Sequence, residues 1–181
     1  MSASSFSHRI ADRADLSALC LIMDLATEQL QRDFLSEEQV EASKAIMGLD
    51  SQLIEDGTYF LVTEGGTAVG CGGWSRRATL YGGDHSGSLR NERLLDPATE
   101  PARVRAMYTH PDHVRRGIGR LILNLCEKAA GEEGFRSVEL MSTLAGEPLY
   151  RACGYQPVAR TASNLIDGVF VPLVHMCKPI R

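Results

Sequence analysis

Apolar residues recur along this chain at two different spacings, and each change of spacing marks an element. Leu16, Leu19, Cys20, Met23, Ala26 and Leu30 share one helical face behind Asp12 and Asp15, either of which can cap the helix. The capping-box pattern Ser36-Glu37-Glu38-Gln39 opens a second helix through Val40, Ala42, Ile46 and Met47 towards Gly48, and residues 51–55 suit one further helical stretch. The spacing then becomes strand-like. Residues 58–63 and 68–75, joined by Glu64-Gly65-Gly66-Thr67, predict an antiparallel hairpin, and residues 6–11 predict a short first strand. Gly70, Gly72 and Gly73 within one strand indicate bulges or a surface that another group approaches closely.

In the second half, residues 104–109 form a short apolar run that stops at His110-Pro111-Asp112, a strand ending in a turn. From Ile118 onward, Leu121, Ile122, Leu125, Ala129 and Ala130 follow helical spacing until the glycines Gly131 and Gly134. A buried strand over 137–142, a short helix from Pro148 to Gly154 and a last strand over 168–177 complete the pattern. Strands alternating with helices after an antiparallel start predict an α/β fold on a mixed sheet, in a single domain spanning 1–181. The stretch 76–101 is irregular and too long for a simple connection, which suits a substrate mouth; Trp74 before it and Tyr81 and His85 within it are candidate substrate-binding residues. A core position for Trp74 and plain exposure for His85 are the competing readings.

Between the strand and helix of the second half lies Val114-Arg115-Arg116-Gly117-Ile118-Gly119. Helix N-termini carry unpartnered N–H groups and partial positive charge, so phosphate is favoured there, and Arg115, Arg116 and Arg120 add cations. The same residues also suit a tight connection with solvated arginines. Neither a Gly-x-x-x-x-Gly-Lys-Ser/Thr loop nor the third glycine of a dinucleotide fingerprint is present.

Charge and cysteines narrow the picture further. A net charge of −4 over 181 residues weighs against a general nucleic-acid binder. The five cysteines are scattered without a Cys-x-x-Cys pair, as in reduced core positions of a cytoplasmic protein. No apolar run approaches the roughly 20 residues of a membrane span, and the first residues lack a signal-peptide pattern. His110 and His113 share a turn without further ligands, so no metal is expected.

Taken together, Val-Arg-Arg-Gly-Ile-Gly-Arg-Leu after His-Pro-Asp, followed by Leu149-Tyr150-Arg-Ala-Cys-Gly154-Tyr155, resembles the GNAT N-acetyltransferase superfamily. The likeness is strongest over residues 103–157. It implies a GNAT-like fold, a mixed, mostly antiparallel sheet with splayed central strands flanked by helices. It also implies acetyl-CoA as donor, with the pantetheine on main-chain groups of Met107, Tyr108 and Thr109. The pyrophosphate would lie on those of Arg115, Arg116, Gly117, Ile118, Gly119 and Arg120. Val114 stands where the family usually carries Gln or Arg, which costs a side-chain contact and leaves the backbone cradle.

By the same resemblance, Tyr150 matches a tyrosine that serves as general acid to the departing thiolate, and a phenol of pKa about 10 is protonated at neutral pH. Packing beneath the CoA tail is the other role open to it. Glu139 roughly matches a glutamate that serves as base, whereas Arg103 replaces the glutamate of other members. An ion pair with Arg136 or Arg151 is the alternative for Glu139, and a water chain or His85 the alternative for the base. The expected activity is direct transfer in a ternary complex to a primary amine of a small molecule, peptide or protein; a non-catalytic acyl-CoA sensor is the other function class. The resemblance further implies a homodimer as one assembly to be tested.

Overall fold

The computed structural model describes residues 5–180. Seven strands form one sheet in the order β1-β2-β3-β4-β5-β7-β6. The first half contributes β1 (Ser7–Ile10), α1 (Leu16–Leu30), α2 (Glu37–Ser43), α3 (Ser51–Glu55), β2 (Tyr59–Glu64) and β3 (Thr67–Ser75). The second contributes β4 (Ala102–Thr109), α4 (Ile118–Glu132), β5 (Ser137–Thr143), α5 (Glu147–Ala152), β6 (Gln156–Ala162) and β7 (Pro172–Pro179). Only β4 and β5 pair in parallel; every other neighbour is antiparallel.

The capping signals act where the sequence puts them. Asp12 caps the turn that enters α1, with Asp15 returning the bond, and Ser36 and Gln39 form a reciprocal box at α2. That second helix stops at Ser43, short of Gly48, because the chain turns to bring residues 46–48 against β4 and the long loop.

Each sheet face is covered by one long helix. Ile118, Ile122, Leu123 and Cys126 of α4 pack over Val62, Val104, Val138 and Leu140, while Leu19, Ile22, Met23 and Ala26 of α1 pack over Leu61, Cys71 and Tyr108. Each such aliphatic side chain contributes about 1.5–3 kcal/mol on burial. The strand glycines set how closely α4 approaches: a Cβ on Gly70 would meet Ile118 Cγ2 at 2.4 Å, and one on Gly72 would meet Ile122 Cγ2 at 2.8 Å.

Strand β6 is absent from the sequence reading. All seven of its residues are exposed, it pairs only with β7, and Pro157 sits at a register shift, so it carries neither alternation nor an apolar run. The last strand accordingly begins at Pro172, later than the expected 168. The long loop is pinned rather than open, with an Arg77–Leu94 bridge and a backbone bond from Asp84 N–H to the Leu49 carbonyl at 2.9 Å. Cys71 and Cys126 are core residues as expected, but Cys20 lies on the exposed side of α1. Among the described residues no helix is long and apolar enough to cross a membrane.

Candidate active site

The site begins with a break in the sheet. Strands β4 and β5 pair only through Ala102–Val138 and Arg103–Glu139 and then separate. A bulge in β4 sits just beyond the last pair: Arg105 faces Gly73 and Tyr108 faces Cys71, so Ala106 and Met107 together stand opposite Gly72. Ala106 takes φ 52°, a left-handed conformation rare for alanine, and its carbonyl accepts the Tyr59 hydroxyl at 2.7 Å. The result is a cavity of about 760 Å³ lined by Val104 to Thr109 on one side and by Leu140, Met141 and Thr143 on the other.

At one end of this cavity lies the start of α4. Arg115 at φ 63° and Gly117 at φ 87° turn the chain so that the first intrahelical bond runs from Leu121 N–H to the Gly117 carbonyl. The N–H groups of Ile118, Gly119 and Arg120 therefore have no intrahelical partner. Arg115, Gly117, Ile118, Gly119 and Arg120 all line the cavity. Arg116 does not: its guanidinium binds Glu64 at 2.6 and 2.8 Å and lies 5.2 Å from the Phe6 ring centre. Of the three arginines expected to add positive charge at the loop, this one turns towards β2.

The two glycines also differ. A Cβ on Gly117 would meet nothing, whereas one on Gly119 would lie 2.5 Å from Leu149 Cδ2. Gly119 thus lets α5 pack against α4, and Gly117 is the residue whose bareness opens the loop.

Further in, Tyr150 lines the cavity and packs edge-on against Tyr155 with ring centres 5.8 Å apart. Burial pushes its phenol well above its ordinary pKa, so it stays protonated. Glu139 has a different setting. Its carboxylate meets the Arg103 guanidinium and accepts from His175 Nε2 at 2.6 Å, not from Arg136 or Arg151. Glu139 is not among the residues that line the cavity. Burial first, and then Arg103, hold the His175 imidazole below its ordinary pKa.

At the other end, Leu30, Phe34, Ile46, Met47 and Leu173 form apolar walls, joined by Tyr81 and Gly82 from the long loop. Trp74 is elsewhere: it is 2% exposed in the α4-side core, edge-on to Phe135 at 6.0 Å, so the expectation that it binds substrate gives way to the core reading. It packs on the α4 side of the sheet, beside Val104 in register. His85 is also off the cavity, fastening the loop through its Nε2 to the Lys44 carbonyl at 2.7 Å.

Two polar side chains that the sequence reading passed over line this end, Gln31 and Arg105. Arg105 donates to the fully buried Asp50 at 2.7 Å and to the Gly82 carbonyl. A charged residue between Val104 and Ala106 in an apolar strand was a usable signal, since such a side chain is almost never buried without a purpose. Gln31, in the polar stretch after α1, gave none.

The acetyltransferase (GNAT) family model matches residues 22–155. A search of curated protein sequences gives no match. Among solved structures, a GCN5-related N-acetyltransferase from Rhodopseudomonas palustris is similar at TM-score 0.73 and 22% identity, covering 99% of each chain. The Salmonella typhimurium putative acetyltransferase yncA with acetyl-CoA is similar at TM-score 0.63 and 18% identity, over 97% of this chain and 94% of that one. The PaiA N-acetyltransferase of Thermoplasma acidophilum with coenzyme A is similar at TM-score 0.64 and 13% identity, over 97% and 99%.

Proposed function

Because the chain belongs to the acetyltransferase (GNAT) family, we propose that it is an N-acetyltransferase that uses acetyl-CoA and a primary amine, bound together in one cavity. The observation that carries this reading is the separation of β4 from β5, which joins the α4 N-terminus, Tyr150 and the apolar acceptor end in one continuous space. The fit of a CoA moiety rests on this chain's own groups. Beyond Arg103 the β4 edge has no strand partner towards β5, leaving main-chain groups between Met107 and Thr109 for an amide-rich arm. The free N–H groups of α4, with Arg115 and Arg120, suit a pyrophosphate.

Acetyl-CoA, when bound, supplies an acyl group already activated as a thioester. The protein's part is to hold the amine against it and to move two protons. Tyr150, protonated throughout the working pH range, donates its phenolic proton to the leaving sulfur. Glu139 acts indirectly: it takes the Nε2–H of His175, which leaves a lone pair on Nδ1, and the lowered pKa keeps that ring neutral at pH 7. His175 stands in register with Met141, a cavity residue, but does not itself line the cavity, so a water chain would have to carry the amine proton to it. Direct transfer is supported by the lining itself, since among the described residues no cysteine borders the cavity and Cys71 is buried with its thiol pushed up to about 12.

The test is release of free thiol from acetyl-CoA across an amine panel. Amine-dependent release that falls about 100-fold in kcat in Tyr150→Phe, with CoA affinity unchanged, supports the assignment of a general acid. Tight CoA binding with no amine-dependent thiol would leave an acyl-CoA-binding module instead.

A further inference from the structure

Two polar atoms at the acceptor end are buried without a protein partner: Oε1 of Gln31, a side chain 2% exposed, and Nε of Arg105, 4% exposed. Each would cost about 1–3 kcal/mol if left permanently unpaired. The amide of Gln31 cannot simply be turned round. Ser43 spends its hydroxyl proton on the Val40 carbonyl at 2.6 Å, so it can only accept from Gln31 Nε2, at 3.1 Å, and Met47 Sδ, another acceptor, lies 3.0 Å from the same nitrogen. Oε1 is therefore held as an acceptor that lacks an N–H or O–H.

Arg105 has the opposite need. Its Nη1 is on Asp50 and its Nη2 on the Gly82 carbonyl, leaving Nε–H as a donor without an oxygen. Asp50 does not neutralise Arg105 alone, because Arg90 Nη1 reaches the same carboxylate at 3.0 Å. Asp84 meets Arg90 only at 3.6 Å and from an exposed position. The buried part of this cluster, two guanidinium groups on one carboxylate, thus faces a cavity whose nearby walls are apolar apart from the exposed Asp33.

We propose that the acceptor is a small amino carboxylate, an α-amino acid with an apolar side chain, whose carboxylate is received by Arg105 Nε–H and whose amine N–H reaches Gln31 Oε1. A carboxylate is favoured over a carbonyl because only the former offsets a buried cation. Gln31 suits the reaction as well as the binding: a neutral acceptor holds the amine without raising its pKa as an acidic side chain would. The side chain of the amino acid lies among Leu30, Phe34, Ile46 and Leu173. The proposal rests on the acetyl-transfer reading for what happens to the amine, and on the two unpaired atoms for what binds.

Calorimetry on the full chain, with and without CoA, separates the two. The probes are leucine, its methyl ester and 3-methylbutylamine, which is leucine without its carboxylate. Leucine is expected to bind at least about tenfold more tightly than either. Arg105→Lys keeps a cation for Asp50 yet lacks the Nε–H, and is expected to abolish that preference. Gln31→Met is expected to weaken leucine and the plain amine alike while the carboxylate preference survives. Equal affinity for the three probes, or tighter binding of a leucyl dipeptide than of leucine, overturns the proposal. Thiol release with the same probes tells the readings apart: leucine bound without release leaves this assignment standing and removes the transfer reading, whereas equal turnover of leucine and 3-methylbutylamine does the reverse.

Discussion

The two ends of the cavity are built in different ways. The donor end is made of backbone: a bulged strand edge and the first turn of α4, shaped by Arg115 and Gly117 at positive φ. The acceptor end is made of side chains brought from α1, the 44–50 segment, β4 and the long loop, and held by a buried ionic cluster around Asp50. A backbone site is specified by a short contiguous motif and tolerates change in most of its side chains. A side-chain site can be retuned one residue at a time, but it depends on a few polar groups that have no water to fall back on. On the proposed reading, one chain can therefore keep a common donor while its acceptor is chosen by residues far apart in sequence.

The largest expected effect tests that dependence. Asp50→Ala removes the carboxylate shared by Arg105 and Arg90 and the acceptor for Gln52 N–H at the start of α3. Breaking a buried pair from one side leaves an uncompensated charge, so a loss of about 3–5 kcal/mol is expected in urea unfolding. CoA affinity of the folded fraction should stay near that of the parent chain. If it falls in step with stability, the two ends are coupled and the contrast drawn between them fails. Next in size is Gly119→Glu at the donor end. Its Cβ alone would stand 2.5 Å from Leu149, so the substitution overpacks the α4–α5 contact as well as placing a carboxylate near the cradle. A stability loss of about 1–3 kcal/mol is expected alongside weakened CoA binding. Weakened binding at unchanged stability would mean that Gly119 faces the anion rather than α5.

The same contrast decides what could be read from the sequence. Val114 to Gly119 was legible because glycines between an apolar run and a helical pattern suit an anion cradle or a tight connection, and Gly117 and Gly119 turn out to divide the open loop and the close packing between them. The hairpin and both long helices followed from spacing alone. Trp74 and His85 were read by residue type, and neither reaches the cavity: Trp74 points to the α4 face, and His85 fastens the loop. Glu139 was read from family position, with its alternative ion pair assigned to Arg136 or Arg151, whereas Arg103 comes beside it through the short parallel ladder and His175 from a strand more than 30 residues on. Such pairings depend on register between distant strands, which local spacing does not encode. Strand β6 was illegible for another reason, since an edge strand exposed on both faces has no apolar pattern.

The smallest expected effect compares two adjacent arginines at the donor end. Arg115 lines the cavity and has no ion pair among the described residues, while Arg116 is engaged with Glu64, which lowers its availability and raises its own pKa through that bond. Arg115→Ala should weaken CoA by about three- to tenfold, with the loss shrinking as salt rises, because an exposed guanidinium on a phosphate is screened. Arg116→Ala should change CoA affinity less than twofold and leave stability nearly unchanged, as is usual for an exposed ion pair. Titration of CoA against both variants at two salt concentrations checks this. An equal loss in the two would mean that Arg116 leaves Glu64 when the anion binds, and the donor end would then owe part of its affinity to a side-chain exchange rather than to backbone alone.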